Sequence, residues 1–283
     1  MVEHRYGGDW TEIKITLLKS YMTAYTRALS GKNHFDLVYI DAFAGTGERV
    51  ASVEDPMNLT QNGKIKYDGS VKVALNMIPQ FQELYFIEKD QAKIENLQKI
   101  KQENQNRNIT ILKGDANYHV KKTCQNIKWN RKRGLLFLDP YGMEVEFETL
   151  KAIAATKRID VCYLFPLAGV FRQAAGKISN IEPYKEGVLT KVLGTNDWKN
   201  LYKPSRQTSL FDSEISLERE RGADVFDNMI YSRLNEVFSY VSSPVKLPKK
   251  GVPFFSFYYA ISNPSPAAIA LAKRIITHIV KNC

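Results

Sequence analysis

No stretch of this 283-residue chain is apolar for anything near the ~20 residues needed to cross a bilayer. Its first residues, Met1-Val2-Glu3-His4-Arg5-Tyr6, lack the apolar core of a secretory signal. Neither membrane insertion nor export is expected, and a cytoplasmic location is. Cysteine is scarce: Cys124, Cys162 and Cys283 stand far apart with no CxxC pair, so neither a disulfide framework nor a zinc site is expected, and no metal is assigned. Acidic residues are in deficit, 30 Asp and Glu against 40 Lys and Arg, giving a formal charge of +10 and a pI near 9.3. That balance suits a polyanion, because each phosphate met by Lys or Arg releases condensed counterions. A nucleic acid is the expected partner, with charge for solubility alone as the alternative. The sequence also lacks internal repeats.

What is present is an ordinary globular composition, 44% hydrophobic and 25% charged, enough for one α/β domain with an elaboration. Residues 10–29 place Ile13, Leu17, Leu18, Tyr21, Tyr25 and Leu29 at helical spacing, with Lys14 and Lys19 interspersed and Thr11 in a capping position. Five short apolar runs then read as strands: Leu37-Val38-Tyr39-Ile40, Leu84-Tyr85-Phe86-Ile87, Ile109-Thr110-Ile111-Leu112, Leu135-Leu136-Phe137-Leu138 and Val161-Cys162-Tyr163-Leu164-Phe165. They are of the continuous kind that parallel sheets bury on both faces. Helices are expected at 70–78, through Ile94, Leu97 and Ile100, at 120–127 and at 147–156, whereas 48–69 is polar and reads as a loop. This alternation implies a mostly parallel sheet with helices on both faces and ligands off the carboxyl ends of its strands. From 166 to 241 it stops, in a helical, basic and aromatic stretch read as an insertion. A strand near 241–247, a Lys249-Lys250-Gly251 turn and the run 254–261 read as a closing antiparallel hairpin, followed by a helix at 267–280.

Acids and glycines gather at the strand ends. Asp41-Ala42-Phe43-Ala44-Gly45-Thr46-Gly47 is an acid followed by a G-x-G loop, where absent side chains let a ligand approach the backbone. Nucleotide, dinucleotide and flavin sites share that form, as does a tight turn with no ligand. Glu88, followed by Lys89, ends the second strand and can accept both hydrogen bonds of a ribose diol; a solvated acid is the alternative. Gly114-Asp115-Ala116 follows the third strand, where an acid can receive the amine of adenine. Three acids after three successive strands favour S-adenosylmethionine over NAD, whose fingerprint opens a helix directly and needs a third glycine. No Gly-Lys-Ser/Thr follows, which argues against a P-loop. The expected cofactor contacts are Asp41, Phe43, Ala44, Gly45, Gly47, Glu88, Lys89, Asp115 and Ala116.

The fourth strand runs into Asp139-Pro140-Tyr141-Gly142. An amino group on a nucleobase is a poor nucleophile because its lone pair is delocalised into the ring. A carboxylate and a backbone carbonyl that accept its hydrogens favour a pyramidal nitrogen, and a neighbouring aromatic stacks on the base. Asp139 and the Pro140 carbonyl fit the acceptor roles and Tyr141 the platform, with Gly142 completing the motif; a turn that only caps the strand is the alternative.

The motif resembles the Asp/Asn-Pro-Pro-Tyr/Phe signature of amino-methyltransferases acting on adenine, and the Asp-Pro-Phe-Gly form of enzymes that methylate the amine of guanine in tRNA. Here the second proline is absent and the aromatic follows Pro140 directly, which leaves the base open. Across most of the chain, Trp10-Thr11-Glu12-Ile13-Lys14, Tyr39-Ile40-Asp41-Ala42-Phe43-Ala44-Gly45, Asp68-Gly69-Ser70, Phe86-Ile87-Glu88-Lys89-Asp90, Phe137-Leu138-Asp139-Pro140-Tyr141-Gly142 and Leu164-Phe165-Pro166 together resemble the three-Cys-motif partner family. The resemblance implies a methyltransferase-like protein encoded beside a radical-SAM-like partner that itself carries the three-cysteine motif. It carries over no substrate.

The expected architecture is then a Rossmann-like class I methyltransferase sheet, mostly parallel, with a helical insertion after the fifth strand and a C-terminal antiparallel hairpin. It divides one domain, 1–283, into a helical lid (1–35), a cofactor-binding core (36–165), a basic insertion (166–241) and a closing hairpin with its helix (242–283). The basic run 128–133 precedes the fourth strand and falls at the amino edge, away from the crevice, as a solvated loop. The insertion leaves from the carboxyl edge and brings Arg172, Lys177, Lys185, Lys191, Lys199, Lys203 and Arg206 among Phe171, Tyr184, Trp198 and Tyr202, a better surface for a polynucleotide. Trp10, Lys14, Phe165, Arg172 and Lys177 are its candidate substrate contacts, although Trp10 and Lys14 equally suit a core tryptophan and a surface lysine. Three functions remain open: methyl transfer from S-adenosylmethionine to a nucleobase amine, a non-catalytic cofactor- or nucleic-acid-binding scaffold subunit, and a small-molecule or protein methyltransferase.

Overall fold

A strand covered by helices on both faces has no solvent side to mark with polar residues, so its apolar run is continuous; these runs form the central sheet. A computed structural model describes the backbone of residues 10–30, 35–52, 64–204, 217–219, 222–249 and 251–282, and their side chains except those of 10, 11, 48–52 and 64–67. The elements are α1 (Trp10–Ser30), β1 (Asp36–Asp41), β2 (Glu48–Ser52), β3 (Lys64–Asp68), α2 (Ser70–Leu75), β4 (Glu83–Glu88), α3 (Gln91–Glu103), β5 (Ile109–Lys113), α4 (Ala116–Asn126), β6 (Lys132–Leu138), α5 (Phe147–Ala155) and β7 (Ile159–Phe165). There follow α6 (Leu167–Gln173), α7 (Pro183–Leu193), β8 (Tyr202–Pro204), β9 (Leu217–Arg219), α8 (Asp224–Val237), β10 (Tyr240–Val241), β11 (Val245–Lys249), β12 (Val252–Ile261) and α9 (Pro266–Lys281).

The main sheet runs β5-β4-β1-β6-β7-β12-β10, with β11 also on β12. Its first five strands are mutually parallel, β12 is antiparallel to β7, and β10 and β11 are antiparallel to β12. Taken as one interrupted edge strand, β10 and β11 make the order 3-2-1-4-5-7-6 with the seventh strand reversed, which is the class I methyltransferase fold. The interruption is bridged at Ser242, whose N–H donates to Tyr259 O at 2.9 Å and whose Oγ accepts from Tyr259 N at 3.1 Å; Pro244 has no N–H to continue the ladder.

Alternate side chains of each strand enter two cores. Leu37, Tyr39, Leu84, Phe86, Leu135 and Phe137 pack with α1, α2, α3 and α9, while Val38, Ile40, Leu136, Leu138, Val161 and Tyr163 pack with α4, α5 and the insertion helices α6, α7 and α8. The buried stripe of α1 runs through Leu18, Tyr21 and Tyr25, and Tyr21 Oη donates to Asp160 at 3.0 Å, fastening the helix to β7.

Four expectations need correction. Residues 48–69 are not simply a loop: β2 and β3 pair as a hairpin, and Gly69 N donates to Gly47 O at 3.1 Å where it begins and ends. Thr11 does not precede the first helix but lies in its first turn. The second helix stops at Leu75, leaving Ile78 exposed, since Pro79 cannot continue it. The basic run 128–133 does sit at the amino edge, yet Lys132 and Arg133 already belong to β6. Lys132 pairs with Glu83, Arg133 lies 3.9 Å over the Phe35 ring, and Trp129 is buried with Nε1 donating to Cys124 O at 3.0 Å. The insertion holds α6–α8 and a small two-stranded β8–β9 sheet; Arg206 falls outside the described residues. No described helix is long and apolar enough to cross a membrane.

Candidate cofactor and methyl-transfer site

The glycine loop follows β1 and is stitched to both neighbouring strands: Ala42 N donates to Phe137 O at 3.1 Å, Ala44 N to Ile87 O at 3.0 Å, and Gly45 N to Glu88 Oε2 at 3.0 Å. Asp41 anchors it from below. Fully buried, its carboxylate accepts from Phe43 N at 3.3 Å and Tyr39 Oη at 3.2 Å, and the Ser70 side chain bonds it as well. Asp41 therefore shapes the loop. Because the hairpin leaves and returns at Gly47 and Gly69, α2 starts beside the loop although it lies 22 residues later in sequence. Distance along the chain thus does not separate this loop from the dinucleotide form; the acids of the next two strands must do so.

Burial raises the Asp41 carboxyl to about 6, with the Asp139 charge adding to it and the hydrogen bonds opposing it. A carboxyl whose folded pKa lies above its unfolded value contributes stability that is complete at about pH 4 and is lost as pH rises through 6. Asp41→Asn is expected to remove that loss, so that between pH 4 and pH 7 the natural protein loses on the order of 2–3 kcal/mol more unfolding free energy than the variant. Urea titrations at both pH values test this, and parallel changes in the two proteins would refute it.

Two cavities open at the carboxyl ends of the strands. The smaller, about 300 Å³, is walled by Phe43, Glu88, Lys89, Asp115, Ala116, Tyr141 and Glu144 among others. The larger, about 990 Å³ counting its open solvent, runs from Phe43–Gly47 past Gly69, Ser70, Lys93 and Asp139–Tyr141 to Lys14, Ile15, Phe254 and Phe255. Phe43 and Tyr141 border both.

Glu88 does more than its sequence position indicated. Buried to 5% exposure, it accepts from Gly45 N on Oε2 and from Lys89 N (2.9 Å) and Asp90 N (3.0 Å) on Oε1. Three of about four acceptor sites are used and Lys93 Nζ stands 3.9 Å from Oε2, so Glu88 braces the loop. Asp115 caps α4 by accepting from Tyr118 N on Oδ1 at 2.9 Å. Lys89 pairs with Glu144 at 3.0 Å across the smaller cavity. Gly45, at φ +63°, has nothing within 4 Å of where a Cβ would stand. That open cradle, with donor and acceptor groups suited to a nucleoside beyond it, fits S-adenosylmethionine. Among the described residues no cluster of His, Cys, Asp or Glu is placed to hold a metal ion.

Lys14, a candidate surface lysine by sequence, is 8% exposed and forms an ion pair with Asp139 Oδ2. Its position four residues before Leu18 on the buried stripe of α1 was the available signal. Tyr141 is 70% exposed, its hydroxyl accepts from Lys93 Nζ at 2.9 Å, and that ammonium lies 4.2 Å from the ring centroid, covering one face. Pro140 is buried, and Gly142 has open space at its Cα. Asn117, which no motif marked, ties this loop to α4: its Nδ2 donates to Glu144 O at 2.8 Å, and its Oδ1 accepts from Glu146 N at 3.0 Å and Thr149 Oγ1 at 2.8 Å.

The expected substrate surface is divided. Phe165 is fully buried and lines neither cavity, so it is a core residue and not a substrate contact. Trp198 and Tyr202 likewise form the core of the insertion, and Lys185 and Lys199 pair with Glu182 and Glu186. Arg172 is exposed beside the larger cleft, and Lys177 is exposed on a β-bridge to Glu218. The Trp10 side chain lies outside the described residues.

No protein-family profile matches the chain, and no curated protein matches it by sequence. Among solved structures, a Legionella pneumophila protein of DUF519 aligns over 96% of this chain and 93% of its own with 16% identity and a TM-score of 0.53, sharing the fold. An S-adenosylmethionine-dependent methyltransferase from Clostridium acetobutylicum (12% identity, 91% and 94% covered, TM-score 0.37) also aligns. So does the magnesium protoporphyrin IX methyltransferase of Synechocystis with bound SAH (11%, 92% and 89%, TM-score 0.38). Both are too distant to bear on residues of this chain.

Proposed function

We propose that this protein transfers a methyl group from S-adenosylmethionine to the exocyclic amine of a nucleobase in RNA or DNA. The observation that carries the reading is the meeting, in one cleft, of the open Gly45 cradle with Asp139, Pro140 and Tyr141. When bound, S-adenosylmethionine supplies an electrophilic methyl group on sulfur. Phe43, Ala44, Gly45 and Gly47 would hold its amino-acid end, and Glu88, Lys89, Asp115 and Ala116 its adenosine, on a loop that Asp41 anchors.

Asp139 Oδ1 and the Pro140 carbonyl accept the two amine hydrogens, which draws the nitrogen lone pair out of conjugation and toward the methyl carbon. Asp139 would also accept the proton that the amine loses when it is methylated. Lys14 holds the other carboxylate oxygen and so fixes the orientation of the acceptor. Tyr141 offers the ring face opposite Lys93 to the base.

Family resemblance adds a radical-SAM-like three-Cys-motif protein as the expected partner. The Lys14–Asp139 ion pair favours one other reading, a non-catalytic scaffold subunit, since it already engages the carboxylate that catalysis needs. Labelled cofactor incubated with total RNA and DNA, with and without the partner, separates the two. Label in a nucleic-acid fraction supports transfer; saturable cofactor binding with no label in any acceptor overturns it.

A further inference from the structure

The larger cleft has two lips. One carries Asp139–Tyr141. The other is the start of β12, where Phe254 and Phe255 line the cleft with ring centroids 4.8 Å apart at 76°. Two cations converge on Phe254: the Arg172 guanidinium, from the last turn of α6, lies 5.8 Å from its centroid, and the Lys249 ammonium, at the end of β11, lies 5.1 Å from it. Several other cations of the insertion and of β11 are held differently. Lys185, Lys199, Arg233 and Lys246 pair with Glu182, Glu186, Glu236 and Asp224 with Asp227. Among the described residues Arg172 and Lys249 have no ion pair, and both are exposed.

Aromatic faces interleaved with uncompensated cations are what a single-stranded polynucleotide requires, since every unpaired base has a face to stack and every linkage a phosphate to neutralise. A duplex keeps its base faces covered. We propose that Phe254, Arg172 and Lys249 form a single-strand recognition lip, which stacks the nucleotide adjoining the one delivered to Tyr141 and holds its phosphates. The inference rests on the nucleobase reading of the site, and it requires the acceptor to be single-stranded or locally opened.

The test is fluorescence polarisation of the full chain with short labelled single-stranded RNA, single-stranded DNA and blunt duplex, over a range of salt. The natural protein is expected to prefer a single strand. Phe254→Ala and the bulk-preserving Phe254→Leu are expected to weaken binding roughly 5- to 100-fold with the salt slope unchanged. The surface double variant Arg172→Gln/Lys249→Gln is expected to flatten the log–log salt slope by about 1.4. Equal affinity for duplex, or unchanged binding in Phe254→Leu and the double variant, overturns the lip. Phe254-dependent binding without methyl transfer would leave the lip standing and remove the enzyme reading. Methyl transfer to a nucleic-acid acceptor with both rate and binding unchanged in Phe254→Leu would remove the lip alone.

Discussion

Asp139→Ala is expected to slow methyl transfer by about 10²–10⁴-fold while affinity for S-adenosylmethionine stays within about threefold. The split follows from where the carboxylate lies: Asp139 stands with Pro140 and Tyr141 in the larger cleft and not with Glu88, Lys89, Asp115 and Ala116 around the smaller one. Its loss removes an acceptor from the amine, so the deficit falls on the chemical step and not on cofactor binding. Alanine also leaves the nearly buried Lys14 ammonium without its carboxylate, at a cost of roughly 1–3 kcal/mol of stability. Asp139→Asn separates the two effects, because it keeps an oxygen acceptor of the same shape, and it is expected to recover part of the rate. Lys14→Met is expected to lose about 10- to 100-fold through misorientation of Asp139, with Lys14→Arg recovering some of it. Single-turnover transfer of labelled methyl, alongside calorimetric cofactor binding, reads both quantities. A full rate for Asp139→Ala on the true acceptor would show that the motif only caps its strand.

The parallel core was legible because its strands are buried on both faces: each of the five apolar runs lies within a strand, and the ends coincide or differ by at most three residues. The strand-end acids were legible for a related reason, since a charged residue directly after such a run must leave the core or, like the buried Asp41 and Glu88, find hydrogen-bond donors at its edge. Legibility fails where the deciding partner is remote in sequence. The pairing of β2 with β3 was missed because the alternation of Lys64-Ile65-Lys66-Tyr67-Asp68 is short and its partner run, Glu48-Arg49-Val50-Ala51-Ser52, does not alternate. Lys14 looks like an exposed lysine until its counterion, 125 residues away, is in place. Asn117 sits on an amphipathic helix with no motif around it, and only the path of the 144–149 segment gives its amide three partners. Phe165 misled in the opposite direction, since the carboxyl end of a strand next to a motif can still face inward to the core.

Those remote ties also show how the two halves of the site are kept in register. Glu88 braces the glycine loop from β4, and Asn117, on the helix that Asp115 caps, holds the backbone of the segment following Asp139–Gly142. The glycine loop and the Asp139–Gly142 segment thus hang on one hydrogen-bonded frame, and under the proposed function a defect in either is expected to misalign methyl donor and acceptor.

Gly45→Val is expected to weaken S-adenosylmethionine binding by at least about 30-fold with the fold intact, and its neighbour two residues on supplies the contrast. At Gly45 a side chain would enter empty space, which by the present reading is the cofactor's space, and the φ of +63° adds the strain of a left-handed β-branched residue. At Gly47, φ +77°, a Cβ would come within 2.5 Å of Ile100 Cδ1 and 3.5 Å of Val71, both inside the core that joins α2 and α3 to the sheet. Gly47→Ala should therefore lower thermal stability, whereas Gly45→Val should alter binding far more than stability, because what it meets is ligand and not protein. Calorimetric titration with the cofactor and a thermal melt of each variant measure the two effects separately. Cofactor affinity unchanged in Gly45→Val would mean that the open space above the loop is not where S-adenosylmethionine lies, and the assignment of this loop would fall with it.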